Sequence, residues 1–444
     1  MLILVLPGGH RFRIKFNNCS RLPRGRANLP YEDALRDVLS KVEQHAAYRS
    51  RCLNLIASEN VTSPMVRNIL ASDLGHRYAI GFLYTRVYRG CRYIDELEET
   101  TNYLLRTLFK TEHVNYVPVS GTVANLVMFN ALTKPGDTTM ALSVMDGGHS
   151  SFRECSKIHG VSMVPLPFDQ TRYNVDVDGA SKLIARVKPK VVLFGASDFL
   201  FPHPVAELSQ VIKENGGIVA YDAAHVLGLI AGGCFQDPLR EGAEVITGST
   251  HKTFFGPQGG IILCNRKHSE SVDHSAWQMV NNHHIHRVAA LALATVEMLE
   301  FGRAYAEQVV RNAKALAEKL HGLGVKVLCP DLGFTESHQV IVDVGEGRGQ
   351  AMSKLLEEAN IITNQMPLPW DRGEELCSGI RLGVQEVTRM GMTEDDMAVV
   401  AGLIAEVLLG RCRPQELRSK VEGFASTFQE VKYTFGREEV QKLA

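Results

Sequence analysis

Short apolar runs at residues 114–118, 139–142, 161–164, 191–194 and 218–221 read as strands. Apolar residues at helical spacing fill several intervals, over 122–132, 177–187 and 205–215. Two further strand-like runs follow at 245–247 and 260–264. Strands alternating with helices predict an α/β fold: a mainly parallel sheet with helices on both faces. From 286 to 323 the pattern turns helical for a long stretch, with Ala289, Ala292, Val296 and Leu299 at helix-like spacing. Runs at 325–328 and 340–344, a helix over 350–359 and another over 393–408 come next. These predict a smaller C-terminal α+β domain behind a connecting helix. The expected division is a large part over 29–300 and a small part over 301–444.

Residues 1–28 are set apart as an extension. Its opening apolar run stops at Pro7-Gly8-Gly9, too early for a membrane span. Residues 10–26 are basic without an acid, which leaves a targeting peptide or a mis-started extension as readings. The chain carries 48 basic and 49 acidic residues, a net charge of -1. General nucleic-acid binding usually needs a basic surplus, so no nucleic-acid partner is expected. Nine cysteines are scattered with no CxxC pair. That pattern speaks against a disulfide framework or a zinc site and suits a cytosolic enzyme with reduced thiols; no metal is expected.

The strongest local signal is Thr250-His251-Lys252-Thr253, in a turn between two strand runs and hemmed by hydroxyls and glycines. A Schiff-base lysine must be partly desolvated to keep its amine neutral and nucleophilic. An isolated His-Lys pair is better read as an exposed loop lysine, and the next motif shifts the balance. Asp222-Ala223-Ala224-His225 follows directly on a strand. An aspartate at the C-terminal end of a parallel strand points into the ligand crevice of such sheets. There it suits the pyridinium nitrogen of pyridoxal phosphate, keeping the ring protonated. A helix N-cap is the other reading. Ser120-Gly121-Thr122 ends a strand and opens a helix, a seat for a phosphate. His149, after Gly147-Gly148, lies flat on a cofactor ring or caps a helix at the surface. Arg381, in Gly379-Ile380-Arg381-Leu382-Gly383, holds a substrate carboxylate or a structural ion pair.

Together with Leu55-Ile56-Ala57-Ser58-Glu59-Asn60, these motifs resemble the serine hydroxymethyltransferase family, in its archaeal-type branch, from about Ala34 to Thr427. The resemblance implies the pyridoxal-phosphate-dependent transferase fold of the aspartate-aminotransferase type (fold type I). That fold has a large, mostly parallel seven-stranded sheet domain and a smaller C-terminal domain. It implies pyridoxal 5′-phosphate as cofactor, with Lys252 as the Schiff-base lysine, Asp222 on the ring nitrogen and His149 stacked on the ring. Ser120, Gly121, Thr122 and Ser249 serve the phosphate with His251 beside it, and Ser197 and His225 lie near the 3-hydroxyl. Arg381 and Ser58 hold the amino-acid carboxylate. Tyr78 and Tyr88 come from a partner subunit of a homodimer, which a tetramer would contain twice. Asn282-His283-His284 sits where the family sends a phosphate-contacting loop across the interface.

One segment departs from the family. After Arg77-Tyr78-Ala79 the family continues Glu-Gly-x-Pro-Gly; this chain reads Ile80-Gly81-Phe82-Leu83-Tyr84. In the family that glutamate handles protons during pterin-dependent one-carbon transfer, and an isoleucine carries none. The leading expectation is retro-aldol interconversion of L-serine and glycine, with a reduced pterin (tetrahydrofolate or tetrahydromethanopterin) as one-carbon acceptor. The alternative is a pterin-independent threonine aldolase or L-threonine transaldolase. The base for the β-hydroxyl stays open between Tyr88, His149 and a water. A non-catalytic partner subunit of the same fold is disfavoured by the retention of Lys252, Asp222, His149 and Arg381.

Overall fold

The computed structural model describes residues 31–436 in full and the backbone of residues 2–5 and 11–14. The chain divides into two compact units, Met1–Ser50 and Arg51–Ala444. In the first, Leu2–Val5 pairs antiparallel with Arg11–Ile14, and Tyr31–Arg49 is a helix. The rest of the 1–28 extension, and with it any targeting role, lies outside the described residues.

In the second unit, seven strands form one sheet: β1 (His113–Asn115), β2 (Thr138–Ala141), β3 (Ser162–Pro165), β4 (Val191–Phe194), β5 (Ile218–Asp222), β6 (Val245–Ser249) and β7 (Gly260–Cys264). Their order is β1-β7-β6-β5-β4-β2-β3. Only β7 runs against its neighbours, pairing antiparallel with β6 and β1. The remaining ladders are parallel. The mostly parallel sheet expected from the strand-helix alternation is therefore present.

Side-chain alternation along these strands decides which residues reach the site. Along β4 and β5, Val191, Leu193, Ile218 and Ala220 face one core cluster, which also holds Ala124, Met128 and Phe129 of helix α1 (Gly121–Leu132). Val192, Phe194, Val219 and Tyr221 face the other core. Successive strand residues point to opposite faces. Asp222 thus falls on the α1 side with Ala220, and Thr247 and Ser249 fall there with Val245. The polar ends of β5 and β6 converge under the start of one helix.

Helix α2 (Ile285–Gly322) carries the chain past residue 300. A second sheet follows, of β8 (Gln339–Asp343), β9 (Asn364–Met366) and β10 (Gly379–Gly383), in the antiparallel order β8-β10-β9. The strand expected at 325–328 does not form. Val327 makes a single bridge to Val342, and the next residues turn away through Cys329, in a left-handed conformation, and Pro330. Without a flat run beyond Leu328 the ladder has nothing to extend along. Several helices left unnamed by the apolar pattern are present, among them Arg92–Phe109, Arg266–Met279 and Pro414–Ala425. Among the described residues, no helix is long and apolar enough to cross a membrane.

A fully buried ion pair ties α2 to the short helix after β10. Arg389 Nη2 donates to Glu297 Oε2 at 2.8 Å, and both side chains are 0% exposed. The guanidinium also lies 3.6 Å from the centre of the Phe255 ring, and Thr434 Oγ1 donates to Glu297 Oε1 at 2.6 Å. Removing one partner of a buried pair leaves a bare charge in a medium that cannot solvate it. Glu297→Ala is expected to lower unfolding free energy by about 3–5 kcal/mol, read as a shift of the denaturant midpoint.

Candidate active site

A cavity of about 170 Å³ opens where the polar ends of β5 and β6 meet the start of α1. Lys252 and Asp222 both line it, as do Ser120, Gly121 and Thr122. His149, Ser197, His225, Ser249 and His251 complete the walls with Asn125 and Ser151. Residues as far apart as 120 and 252 thus share one small space.

Asp222 is held from two sides. Ala224 N donates to its Oδ1 at 2.8 Å, and Asn125 Nδ2 donates to its Oδ2 at 2.7 Å. The Asp222 carboxylate can only accept, which turns the Asn125 amide nitrogen toward it, and the amide Oδ1 then accepts from Thr247 Oγ1 at 2.6 Å. The same Nδ2 reaches Ser151 Oγ at 3.1 Å. The carboxylate is thus buried as an acceptor of two defined hydrogen bonds, with lone pairs left for a cationic donor. Behind it, Gly195 has φ +113°, and a Cβ there would strike the Asp222 backbone carbonyl. Only glycine lets β4 turn this close to the aspartate.

Lys252 is half-buried in the turn after β6. Its backbone is fixed by Asn60 Nδ2, which donates to Lys252 O at 2.6 Å. Burial pushes the Lys252 amine down to about 8; Asp222 opposes that and Arg381 adds to it. A lysine in this range supplies neutral amine near physiological pH.

The histidines are held neutral. Burial, and then Lys252, pushes His251 down to about 4, and Gly259 N approaches its Nδ1 at 3.4 Å. His149 is lowered by burial, against the pull of Asp222. Its Nδ1 accepts from Ser151 N at 3.1 Å, so the proton of the neutral ring sits on Nε2. His225 is fixed by Gln339. The Gln339 Oε1 accepts from Phe199 N at 2.8 Å, while its Nε2 donates to Ser197 O at 2.9 Å. That orientation makes the 2.9 Å contact with His225 Nδ1 a donation to the ring, again leaving the proton on Nε2. His338 stacks on His225 at 5.6 Å between centroids and is pushed down to about 3 by burial.

Ser120 caps α1, its Oγ accepting from Val123 N at 3.2 Å. The helix start therefore presents backbone N–H groups at the cavity, with Ser249 Oγ packed where a Gly121 side chain would stand. This is a ready anion seat. A phosphate at the helix start, a ring nitrogen at Asp222 and a carbonyl at Lys252 match the donors present, so these residues fit pyridoxal phosphate.

Arg381 reaches the cavity wall through Ser197, whose carbonyl accepts from Nη1 at 2.7 Å. The same Nη1 pairs with Asp198 Oδ1 at 3.2 Å. Ser58 is half-buried beside this strand: Leu55 O accepts from Gly383 N at 2.8 Å, and a Cβ on Gly383 would meet Ala57. Tyr78 and Tyr88 do not reach the cavity within one chain. They are exposed and touch each other edge to face, 5.3 Å between centroids. His283 is turned inward, its Nε2 2.6 Å from Glu98 Oε1, while His284 stacks on His286. Ile80 lines a different cavity of about 260 Å³, together with Phe82, Glu98 and Trp277.

Asn125, Ser151, Thr247, Gln339 and Asp198 escaped the motif reading. Asn125 alone carries a readable signal, an amide between the apolar residues Ala124 and Leu126 of a helix.

The serine hydroxymethyltransferase family model matches residues 31–404. A serine hydroxymethyltransferase of Methanopyrus kandleri is 53% identical over 408 residues, which cover 90% of this chain and 95% of that protein. One from Pyrococcus furiosus is 48% identical over 420 residues, covering 92% and 98%. The crystal structure of L-threonine transaldolase from Pseudomonas fluorescens in the internal aldimine state superposes with a TM-score of 0.86 at 30% identity, over 93% of this chain and 97% of that one. With a sheet of seven strands, a polar cavity at its strand ends and this likeness over nearly its whole length, the chain belongs to the serine hydroxymethyltransferase family and has the pyridoxal-phosphate-dependent fold of type I.

Proposed function

We propose that this protein is a pyridoxal-phosphate-dependent serine hydroxymethyltransferase. It interconverts L-serine and glycine and passes the one-carbon unit to a reduced pterin, tetrahydrofolate or tetrahydromethanopterin. The observation that carries this reading is the meeting of Lys252 and Asp222 in one cavity with the capped start of α1. The names of the archaeal relatives support it.

When bound, pyridoxal phosphate supplies a protonated ring that accepts the electron pair of the bond broken at the substrate's Cα. Asp222, oriented by Asn125, keeps the proton on the ring nitrogen. His251 and the N–H groups at the start of α1 take the phosphate, with Ser120 and Ser249. Lys252 gives up its proton readily because burial disfavours its charge. Arg381, with Ser58, takes the substrate carboxylate and so sets which bond at Cα stands across the ring plane, an orientation effect. His149 carries its proton on Nε2, which suits stacking or donation there rather than taking up the β-hydroxyl proton. That leaves Tyr88 or a water for the proton.

Tyr88 and Tyr78 are exposed in the single chain, and Phe82, Tyr84, Val87 and Tyr93 are exposed nearby. An apolar surface of this kind suits a homodimer in which each copy completes the other's site. A tetramer would pair two such dimers. Reduced thiols and a substrate that is a small metabolite suit a cytoplasmic protein.

Ile80 favours a second reading, a pterin-independent threonine aldolase or L-threonine transaldolase, because an alkyl side chain moves no proton. The solved transaldolase fits the same fold. Amino-acid cleavage with and without tetrahydrofolate or tetrahydromethanopterin separates the two. Pterin is expected to accelerate glycine formation from serine. If it does not, and threonine is cleaved readily, the second reading replaces the first.

The machinery makes two further predictions. Asp222→Asn is expected to lower kcat by about 10²–10³ by removing a fixed charge aimed at the ring, measured on cofactor-saturated protein. Capture of pyridoxal phosphate by cofactor-free protein is expected to rise by about tenfold per pH unit up to the Lys252 value of about 8 and to level off above it. Stopped-flow absorbance follows it, and Lys252→Ala is expected to leave no borohydride-fixed adduct by mass.

A further inference from the structure

The Arg381 guanidinium already has a carboxylate. Asp198 Oδ1 lies 3.2 Å from Arg381 Nη1, and the two side chains are only 8% and 11% exposed. Asp198 is firmly seated. Its N donates to Gly147 O at 3.2 Å, and Gly147, with φ +87°, lies against its Cβ and carbonyl. The other contacts of Arg381 are neutral: Ser197 O at 2.7 Å, and Asn364 Oδ1 at 3.4 Å from both Nε and Nη2.

We infer that Asp198 is a specificity-determining residue that competes with the amino-acid carboxylate for Arg381, so that substrate binding is coupled to uptake of a proton by Asp198. This rests on the proposed role of Arg381. A guanidinium presents a fixed fork of donors, and Nη1 already serves Ser197 and Asp198. A substrate carboxylate on the same fork brings a second anion beside Asp198 and shares the cation that faces it among the described residues. Two carboxylates sharing one site do not both stay ionised. Asp198 is the one that protonates, because burial has already pushed it up to about 6, with Arg381 pulling the other way. Protonated, it turns from a competitor into a hydrogen-bond donor toward the substrate.

The other titratable groups around it do not supply a compensating charge. Tyr173 is buried with its pKa raised by burial and then by Asp198, and its hydroxyl has no partner among the described residues. Asp146, beside Gly147, is itself raised by burial and accepts from Ser143 Oγ at 2.7 Å.

The sign follows. Below about pH 6 Asp198 is protonated with or without substrate, and affinity is flat. Above it, free enzyme must take up a proton to bind, so Kd rises by up to about tenfold per pH unit. It levels off once the pH passes the higher pKa of the bound state.

The test is calorimetric titration of glycine into holoenzyme from pH 5.5 to 8.5, in buffers of different ionisation enthalpy, with wild type and Asp198→Asn. The expected result is that the variant takes up close to one proton fewer near pH 7 and binds glycine about tenfold tighter there. Weaker binding by the variant, or unchanged proton uptake, overturns the inference and makes Asp198 a support that orients Arg381. Asp198→Leu serves as the second variant if the first does not fold, with the same expected direction. Arg381→Ala separates the two levels. If it leaves glycine affinity unchanged, the carboxylate role of Arg381 fails. If it abolishes binding while Asp198→Asn changes nothing, only the role of Asp198 fails.

Discussion

A carboxylate placed under a helix in a parallel sheet needs hydrogen bonds that water cannot bring, and Asn125 meets that need. Its amide joins Thr247 on β6, Asp222 on β5 and Ser151 at the start of the next helix. Each contact fixes the next. The Asp222 carboxylate, which can only accept, sets which end of the amide is the donor, the other end takes the Thr247 hydroxyl, and Ser151 meets His149 Nδ1 at 2.7 Å. An apolar residue at 125 would take the donor from Asp222 Oδ2 and leave that buried carboxylate with a single partner. The setting of the Asp222 side chain thus depends on an uncharged amide of the neighbouring helix.

The same low-polarity surroundings act on several groups in and beside the site, in opposite directions for acids and bases. Burial lowers Lys252, His149, His225 and His251, and raises Asp198. The imidazoles are therefore neutral hydrogen-bonding groups whose tautomers are set by their neighbours: Ser151 N for His149 and Gln339 for His225. Gln339 also binds the Ser197 carbonyl that accepts from Arg381. One amide thus links the His225 imidazole to the carbonyl that accepts from Arg381.

What was legible in the sequence was whatever local pattern dictates. Strand ends and helix starts follow from runs of a few residues, and with them came Lys252, Asp222, Ser120 and His149. Less was legible where the cause lies far along the chain. Asn125 lies 97 residues from Asp222, and Phe199 lies 140 from Gln339. Such pairs leave no spacing to read. The expected strand at 325–328 failed for a local reason that a count of apolar residues overlooks, the left-handed turn at Cys329 before Pro330. Arg381 was open between a substrate clamp and a structural ion pair. The pair with Asp198 is there, and it is buried on both sides.

The hairpin around Ile80 is held by groups other than the Ile80 side chain. Gly81–Phe82 pairs with Thr85–Arg86 in a tight hairpin. Arg86 holds it from inside: Nη1 donates to Ala79 O at 2.7 Å and to Gly81 O at 2.8 Å, while the rest of the guanidinium pairs with Asp95 and Glu98. Burial alone would raise Glu98, yet His283 and Arg86 hold its carboxyl below the usual range, so the clamp stays ionic. Tyr84 takes the left-handed conformation, φ 62°, at the position where the family pattern has glycine. That costs about 1–2 kcal/mol for a residue with a side chain, and the Tyr84 hydroxyl donates to Glu99 at 2.6 Å. The backbone path is therefore fixed by groups other than residue 80, and the side chain there is free to change without moving the hairpin.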